Sequence, residues 1–188
     1  MLPPQALYWV LFALAWFALM FFVVPPKQVQ KLLPFGFWMG LIQASIVLFL
    51  GQVLFKFWRI VGDPTLLGIP VLTAVSWVPP AIIFARFFSW PKTGIQKYAY
   101  VLLFAFGTAF TQYLQSLVGM WVNLRWNPFF TFLLALVTHS IMTGYLILNE
   151  KKTHTDGNNT KHRFVPTPAR KYNGEIKRVK LRKPLKIK

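Results

Sequence analysis

The chain has 188 residues, 55% of them hydrophobic and 18% aromatic, with twenty-one Lys and Arg against four Asp and Glu. Whole runs are apolar on every side rather than on one alternating or helical face, which excludes a water-soluble domain and makes lipid the solvent for most of the chain. Cysteine is absent, which excludes disulfides, thiolate chemistry and cysteine-held metals.

Five runs reach the roughly 20 largely apolar residues that a helix needs to cross a hydrocarbon core. They are Gln5–Val24, Gly36–Phe55, Leu66–Phe88, Tyr98–Met120 and Asn127–Leu148. The expected fold is therefore all-α, a polytopic transmembrane helix bundle over residues 1–150 followed by a basic tail over 151–188. The first run lacks a basic leader and a small-x-small cleavage site and reads as a retained span rather than a signal peptide. Pro25, Pro26 and Pro34 punctuate the first connection, Gly62-Asp63-Pro64 the second, Pro91 and Gly94 the third, and Asn127-Pro128 opens the last span.

The second run carries Gly36, Gly40 and Ala44 at intervals of four, with Gly51 further along. Such a stripe lets two helix backbones approach closely. In the third, the adjacent Pro79 and Pro80 remove the N–H groups that would bond the carbonyls of Val75 and Ser76, so the span is expected to kink or break there. Broken spans surround mid-membrane sites in transporters, and proline kinks also serve ordinary packing. The fourth run has Gly107, Thr111, Gln115 and Gly119 in a row flanked by Thr108, Gln112 and Ser116, and the fifth has Thr131, Ala135, His139 and Thr143. Residues four apart share a helix face, so Gly107 and Gly119 are expected at helix contacts and the polar members inside the bundle. They read either as interhelical hydrogen bonds or, with Ser76 and Trp77, as an intramembrane polar site: Ser76, Trp77, Thr111, Gln112, Gln115, His139 and Thr143. His139 is the one ionisable side chain near the middle of a span, which makes it a candidate proton-relay or ligand-binding group. No Asp or Glu lies within any of the five runs, which leaves a carboxylate relay without a carrier.

The tail holds thirteen Lys or Arg against Asp156 and Glu175, a net +11. Its first half is polar and broken by Gly and Pro, a composition that predicts disorder. Its last stretch alternates apolar residues with Lys180, Arg182, Lys186 and Lys188, and also carries Lys177, Arg178 and Lys183. Anionic lipid headgroups are the nearest partner, at ~1 kcal/mol per Lys or Arg close to the surface. Nucleic acid is disfavoured because no recognition fold accompanies the charge.

Lys27, Lys31, Arg86, Lys92, Lys97 and the tail outweigh Lys56, Arg59 and Arg125 on the other side, so the positive-inside rule puts the C-terminus in the cytoplasm and the N-terminus outside. Trp9, Trp38, Trp58, Trp90, Tyr98, Trp121, Trp126 and Tyr145 are expected in the aromatic belts at span ends, and Trp16, Trp77 and Tyr113 against other helices. The sequence holds no H-E-x-x-H, no paired carboxylates, no G-x-S-x-G and no phosphate loop, so no enzyme, metal or cofactor is expected.

The stretch from Gly68 to Phe88, then that from Tyr98 to Leu146, with Trp77, Pro79, Tyr113, Gly119, Trp126 and His139 as matching features, resembles a family of small multi-pass membrane proteins of Bacillus- and Clostridium-type bacteria. Members typically carry an acidic residue where this chain has Gln112. The resemblance implies a bacterial cytoplasmic membrane and no assigned reaction. Two functions remain open. One is a non-catalytic interaction or envelope-associated component, meeting a membrane-protein partner or a second copy of itself through helix packing and the tail. The other is a small-molecule permease or transporter binding subunit with the polar site at its centre.

Overall fold

The computed structural model describes residues 4–156, with side chains for 5–149. Among these the protein is mostly helical, with five helices: α1 (Pro4–Val23), α2 (Pro26–Leu54), α3 (Val71–Phe87), α4 (Gly94–Leu117) and α5 (Pro128–Asp156). Short strands fill the two connections between them, β1 (Trp58–Ile60), β2 (Thr65–Leu66) and β3 (Ile69–Pro70) before α3 and β4 (Trp121–Asn123) before α5. Three helices are long and apolar enough to cross a membrane: Gln5–Val23 in α1, Pro26–Leu54, and Pro128–Asn149 in α5. In α4 the length suffices, but the row of Thr and Gln dilutes the hydropathy. By its length α3 reaches only about 25 Å, short of the ~30 Å hydrocarbon core.

Several boundaries differ from the sequence reading. The first connection is far shorter than 25–35, because Pro26 starts α2 at a position where its missing N–H costs nothing and Pro34 is carried inside the helix. The amphipathic start of α2 runs straight into the apolar part, through π-helical turns at Gly36–Ile42 and Phe49–Leu54. Residues 66–70, expected to open the third span, instead form a hairpin of β2 and β3. Its turn residues Leu67 and Gly68 both have positive φ, as a tight primed turn requires. The fourth helix stops at Leu117 in a Schellman motif: Met120 N–H donates to the Gln115 carbonyl and Gly119 N–H to that of Ser116, with Gly119 at φ +74°.

Local chemistry explains where the helices begin. Thr93 and Gln96 form a reciprocal capping box at α4. At α5, Asn127 Oδ1 accepts from Phe130 N–H at 3.0 Å. No local side chain caps α3, which follows Pro70; Asp63 serves from across the hairpin. One of its oxygens accepts from Leu72 N–H at 2.9 Å and the other from Thr73 N–H at 2.7 Å and the Thr73 hydroxyl. A buried carboxylate thus meets the positive end of a helix.

The first three helices pack closely, with α1 and α2 both against α3. Lipid supplies no hydrophobic drive between helices, so small residues decide where backbones meet. Gly36 packs against Ile82 and Val78, and Gly40 against the backbone of Trp77 and Val78. Ala44 faces the opposite side, toward α5, in a small cavity shared with Leu134, Ala135 and Thr138. Gly51 accommodates the Trp58 ring. By contrast α4 and α5 stand off and engage their neighbours through side chains. Phe84, Tyr100, Phe104 and His139 form one aromatic cluster, and the Tyr100 hydroxyl donates to the Phe84 carbonyl at 2.8 Å.

One end of the bundle is closed by a β layer. Strands β1 and β4 pair antiparallel, Trp58 with Asn123, Arg59 with Val122 and Ile60 with Trp121. The Gln52 side chain links this sheet to the hairpin, accepting from Ile60 N–H at 2.9 Å and donating to the Gly68 carbonyl at 3.2 Å. Trp9 and Trp58 are buried in the core beneath this layer rather than placed in an aromatic belt, and the Trp9 indole donates to the Val61 carbonyl. Trp38, Trp90 and Tyr98 are exposed, and so is Tyr113, expected to face a helix.

Candidate functional site

A cavity of about 370 Å³ lies between α1, α3, α4 and α5, where the two stand-off helices fail to close on the others. Its size is within the usual range of small-molecule pockets. On α4 it is lined by Leu103, Phe104, Gly107, Thr108, Thr111, Gln112 and Gln115, a spacing that keeps one helix face turned inward. From α3 come Thr73, Ser76, Trp77 and Pro80, from α1 Phe12 and Trp16, from β4 Trp121, and from α5 Thr131 and His139.

Six of the seven polar-site residues read from the sequence line this one space: Ser76, Trp77, Thr111, Gln112, Gln115 and His139. Thr143 does not. It sits half-buried further along α5, its hydroxyl without a partner among the described residues. The two glycines expected at helix contacts on the fourth helix are also reassigned. Nothing lies within 4 Å of a Cβ built on Gly107, which borders the cavity, or on Gly119, which ends the helix. The basic residues Lys177, Arg178, Lys180, Arg182, Lys183, Lys186 and Lys188 lie outside the described residues.

The polar groups divide into those held by the protein and those left free. Gln112, 4% exposed, donates to Asn123 Oδ1 at 2.9 Å and accepts from the Thr131 hydroxyl at 2.9 Å. Thr131 in turn accepts from the Trp126 indole at 2.7 Å. This chain ties α4 to α5 and both to β4. Ser76 is likewise occupied, donating to the Thr73 carbonyl at 2.7 Å. Gln115, Thr108 and Thr111, in contrast, have side chains with no hydrogen-bond partner among the described residues.

His139 is 3% exposed. Its Nδ1 lies 2.7 Å from the Ala135 carbonyl, which can only accept, so Nδ1 carries the proton and Nε2 is left as an acceptor. Phe84 and Phe104 flank the ring at 5.3 and 5.9 Å between centroids. The cavity therefore offers an amide, two hydroxyls and an imidazole acceptor within aromatic walls, and no lining side chain is a Lys, Arg, Asp or Glu.

At the third helix, α3 consists of two helical segments, Val71–Ser76 and Val78–Phe87, with Trp77 between them. The expectation that Pro79 strands the Val75 carbonyl is corrected by this geometry. Backbone N–H groups at the break turn back one residue early and reach the carbonyls of Ala74 and Val75. Pro79 is buried and Pro80 borders the cavity. The Trp77 ring lies between this cavity and a smaller one of about 70 Å³ against α2, lined by Gly40, Gln43 and Ala44 on that side. Trp77, Trp121, Thr108 and Thr131 border both.

The sequence reading passed over Thr73, Thr108, Thr131 and Trp121 as site residues, and Asp63 as the cap behind Thr73. Thr108 and Thr131 were already in the polar rows. Trp121 and Asp63 act through a strand pairing and a hairpin that no helical periodicity reveals. In comparisons with known proteins, no family model, no curated protein and no solved structure matches the chain.

Proposed function

We propose that the chain is a multi-pass membrane protein that binds a small uncharged molecule between its helices, as a permease or transporter binding subunit. One observation carries this reading: Gln115, Thr111 and the Nε2 of His139, from two helices, converge on one cavity without protein partners. In a bilayer the unfulfilled polar groups of such a site are expensive, and they persist where a ligand or water completes them. A carboxylate relay finds no support, since the one buried carboxylate, Asp63, is committed to the start of α3.

In this reading α3 and α4 are spans as well, giving five, with α3 kinked at Pro79-Pro80. The pairing of β1 with β4 supports it, because it keeps the second and fourth connections on one face. The proposed location is the bacterial cytoplasmic membrane, with the N-terminus outside and the C-terminus inside. Binding is tested by purifying the full chain from membranes and identifying the small molecules released on denaturation. A defined molecule released by the wild type and lost from Gln115→Leu and His139→Leu supports the site. Equal release from all three removes it.

A second reading, an interaction or envelope-associated component, draws on the +11 tail. It predicts that a chain ending at Asp156 no longer binds vesicles of anionic lipid while its helices stay folded; unchanged binding discards the tail as an anchor.

A further inference from the structure

The cavity reaches the flank of the protein. Leu103 lines it and is also 65% exposed, and Gly107, one turn on, leaves open space where a side chain would stand. Opposite them on α1 are Phe12 and Trp16. In α4 close backbone contact is confined to β4, so nothing shuts the slot between α1 and α4. Its position matters. Leu103 is nine residues into α4, about 14 Å along the axis, far from either end of the helix, and its outward neighbours Phe106 and Phe110 are exposed apolar side chains. At the strand end, access from water is obstructed by the β layer that Gln52 ties together.

The lining is also graded along the helix axis. Gln115 and Thr111 stand toward the β layer, whereas Leu103, Phe104 and Pro80 make the other end apolar. From Gln115 to Leu103 is about 18 Å along the helix. A slot that opens at the apolar flank admits molecules already dissolved in the bilayer. A polar end without a counter-charge rejects an ionised head, because burying an unpaired charge costs several kcal/mol.

We propose, on the basis of the binding reading above, that the ligand is an uncharged single-chain amphiphile taken laterally from the bilayer through the slot at Gly107, its polar head at Gln115 and Thr111 and its chain toward Leu103. The test is equilibrium binding of a radiolabelled monoacylglycerol to the full chain in phosphatidylcholine nanodiscs, with glycerol and a fatty-acid anion as competitors. The expected result is saturable binding that neither competitor displaces at matched concentration. Gly107→Phe, which fills open space and so leaves the fold intact by circular dichroism, should weaken it about tenfold or more, equivalent to ~1.4 kcal/mol. Leu103→Trp, at the same mouth, should act in the same direction. Unchanged affinity in both variants overturns the lateral route. Displacement by glycerol overturns the amphiphile, and displacement by the anion overturns the requirement for neutrality. If monoacylglycerol fails to bind while a Gln115-dependent molecule still co-purifies, this proposal falls and the cavity's binding role stands. Failure of both overturns both.

Discussion

Gly40 is seated against the backbone of Trp77. A Cβ added to it would come within 2.7 Å of the Val78 Cα and 2.9 Å of the Trp77 carbonyl oxygen. The second helix therefore lies flush against the third where that helix changes segment, and the contact is backbone to backbone, with no flexible side chain to give way. Gly40→Val is expected to destabilise the protein by ~1–3 kcal/mol through overpacking. Gly107→Ala, in open space, should be neutral or stabilise by up to ~1 kcal/mol through helix propensity. Unfolding midpoints of the two purified variants check the contrast, and equal destabilisation would show that the glycines are not distinguished by packing.

Asp63 supplies the cap that Pro70 cannot. Asp63→Asn replaces one acceptor oxygen with an amide that faces N–H donors, and should cost ~1–3 kcal/mol, the range for a buried group left unsatisfied. Chemical unfolding measures the loss. Thr73→Val removes only the hydroxyl's share and should cost less than Asp63→Asn.

Gln112 and Gln115 are three residues apart on one helix and are predicted to fail differently. Gln112→Leu breaks the chain from Asn123 through Thr131 to Trp126 and should lower stability, with a coupling to Thr131→Val of ~0.6–2 kcal/mol in a double-mutant cycle. Gln115→Leu takes away a side chain with no protein partner and should leave stability nearly unchanged while abolishing ligand binding. A stability loss for Gln115→Leu as large as that for Gln112→Leu would count against its being free for a ligand.

The absence of cysteine makes the strand pairing directly testable. Arg59 and Val122 are opposed in the β1–β4 register, and directly opposed strand residues have a Cα separation compatible with a disulfide. The double variant Arg59→Cys, Val122→Cys should cross-link on oxidation, whereas Arg59→Cys with Leu124→Cys, off register, should cross-link more slowly. In intact cells, a membrane-impermeant maleimide should label the single variants Arg59→Cys and Leu124→Cys from the same side, and a cysteine in place of Lys92 from the other. Labelling of Arg59→Cys and Lys92→Cys from one side would contradict the five-span topology.

How far the sequence reveals this arrangement follows from helix geometry. The apolar runs identify all five helices, and the polar rows identify six residues that share a cavity. Rows spaced by four residues drift by about 40° per step, because an α-helix turns about 100° per residue. Gly119 stands twelve residues from Gly107, and Thr143 twelve from Thr131, so each lies about 120° off the face where its row began. On α5 the buried position is Met142, eleven residues from Thr131 and back in phase. Trp9 and Trp58 mislead for another reason. They sit near span ends, where belt tryptophans belong, but a β layer caps that end and turns the same positions into core. Asp63 is hidden because its partners, Leu72 and Thr73, lie across a hairpin that reads as the beginning of an apolar run.

The π-helical turn Phe49–Leu54 contains Gln52, the side chain that bonds both small sheets. Such a turn holds more residues than an α-helical one, and so sets the angular phase of everything beyond it. Excising one residue from α2 just ahead of Gln52 would rotate its amide by roughly 100°, out from between Ile60 and Gly68. The covering over the cavity is in this sense hung from a single amide whose bearing is fixed by helix pitch, and a change of pitch in α2 would unlatch both sheets together.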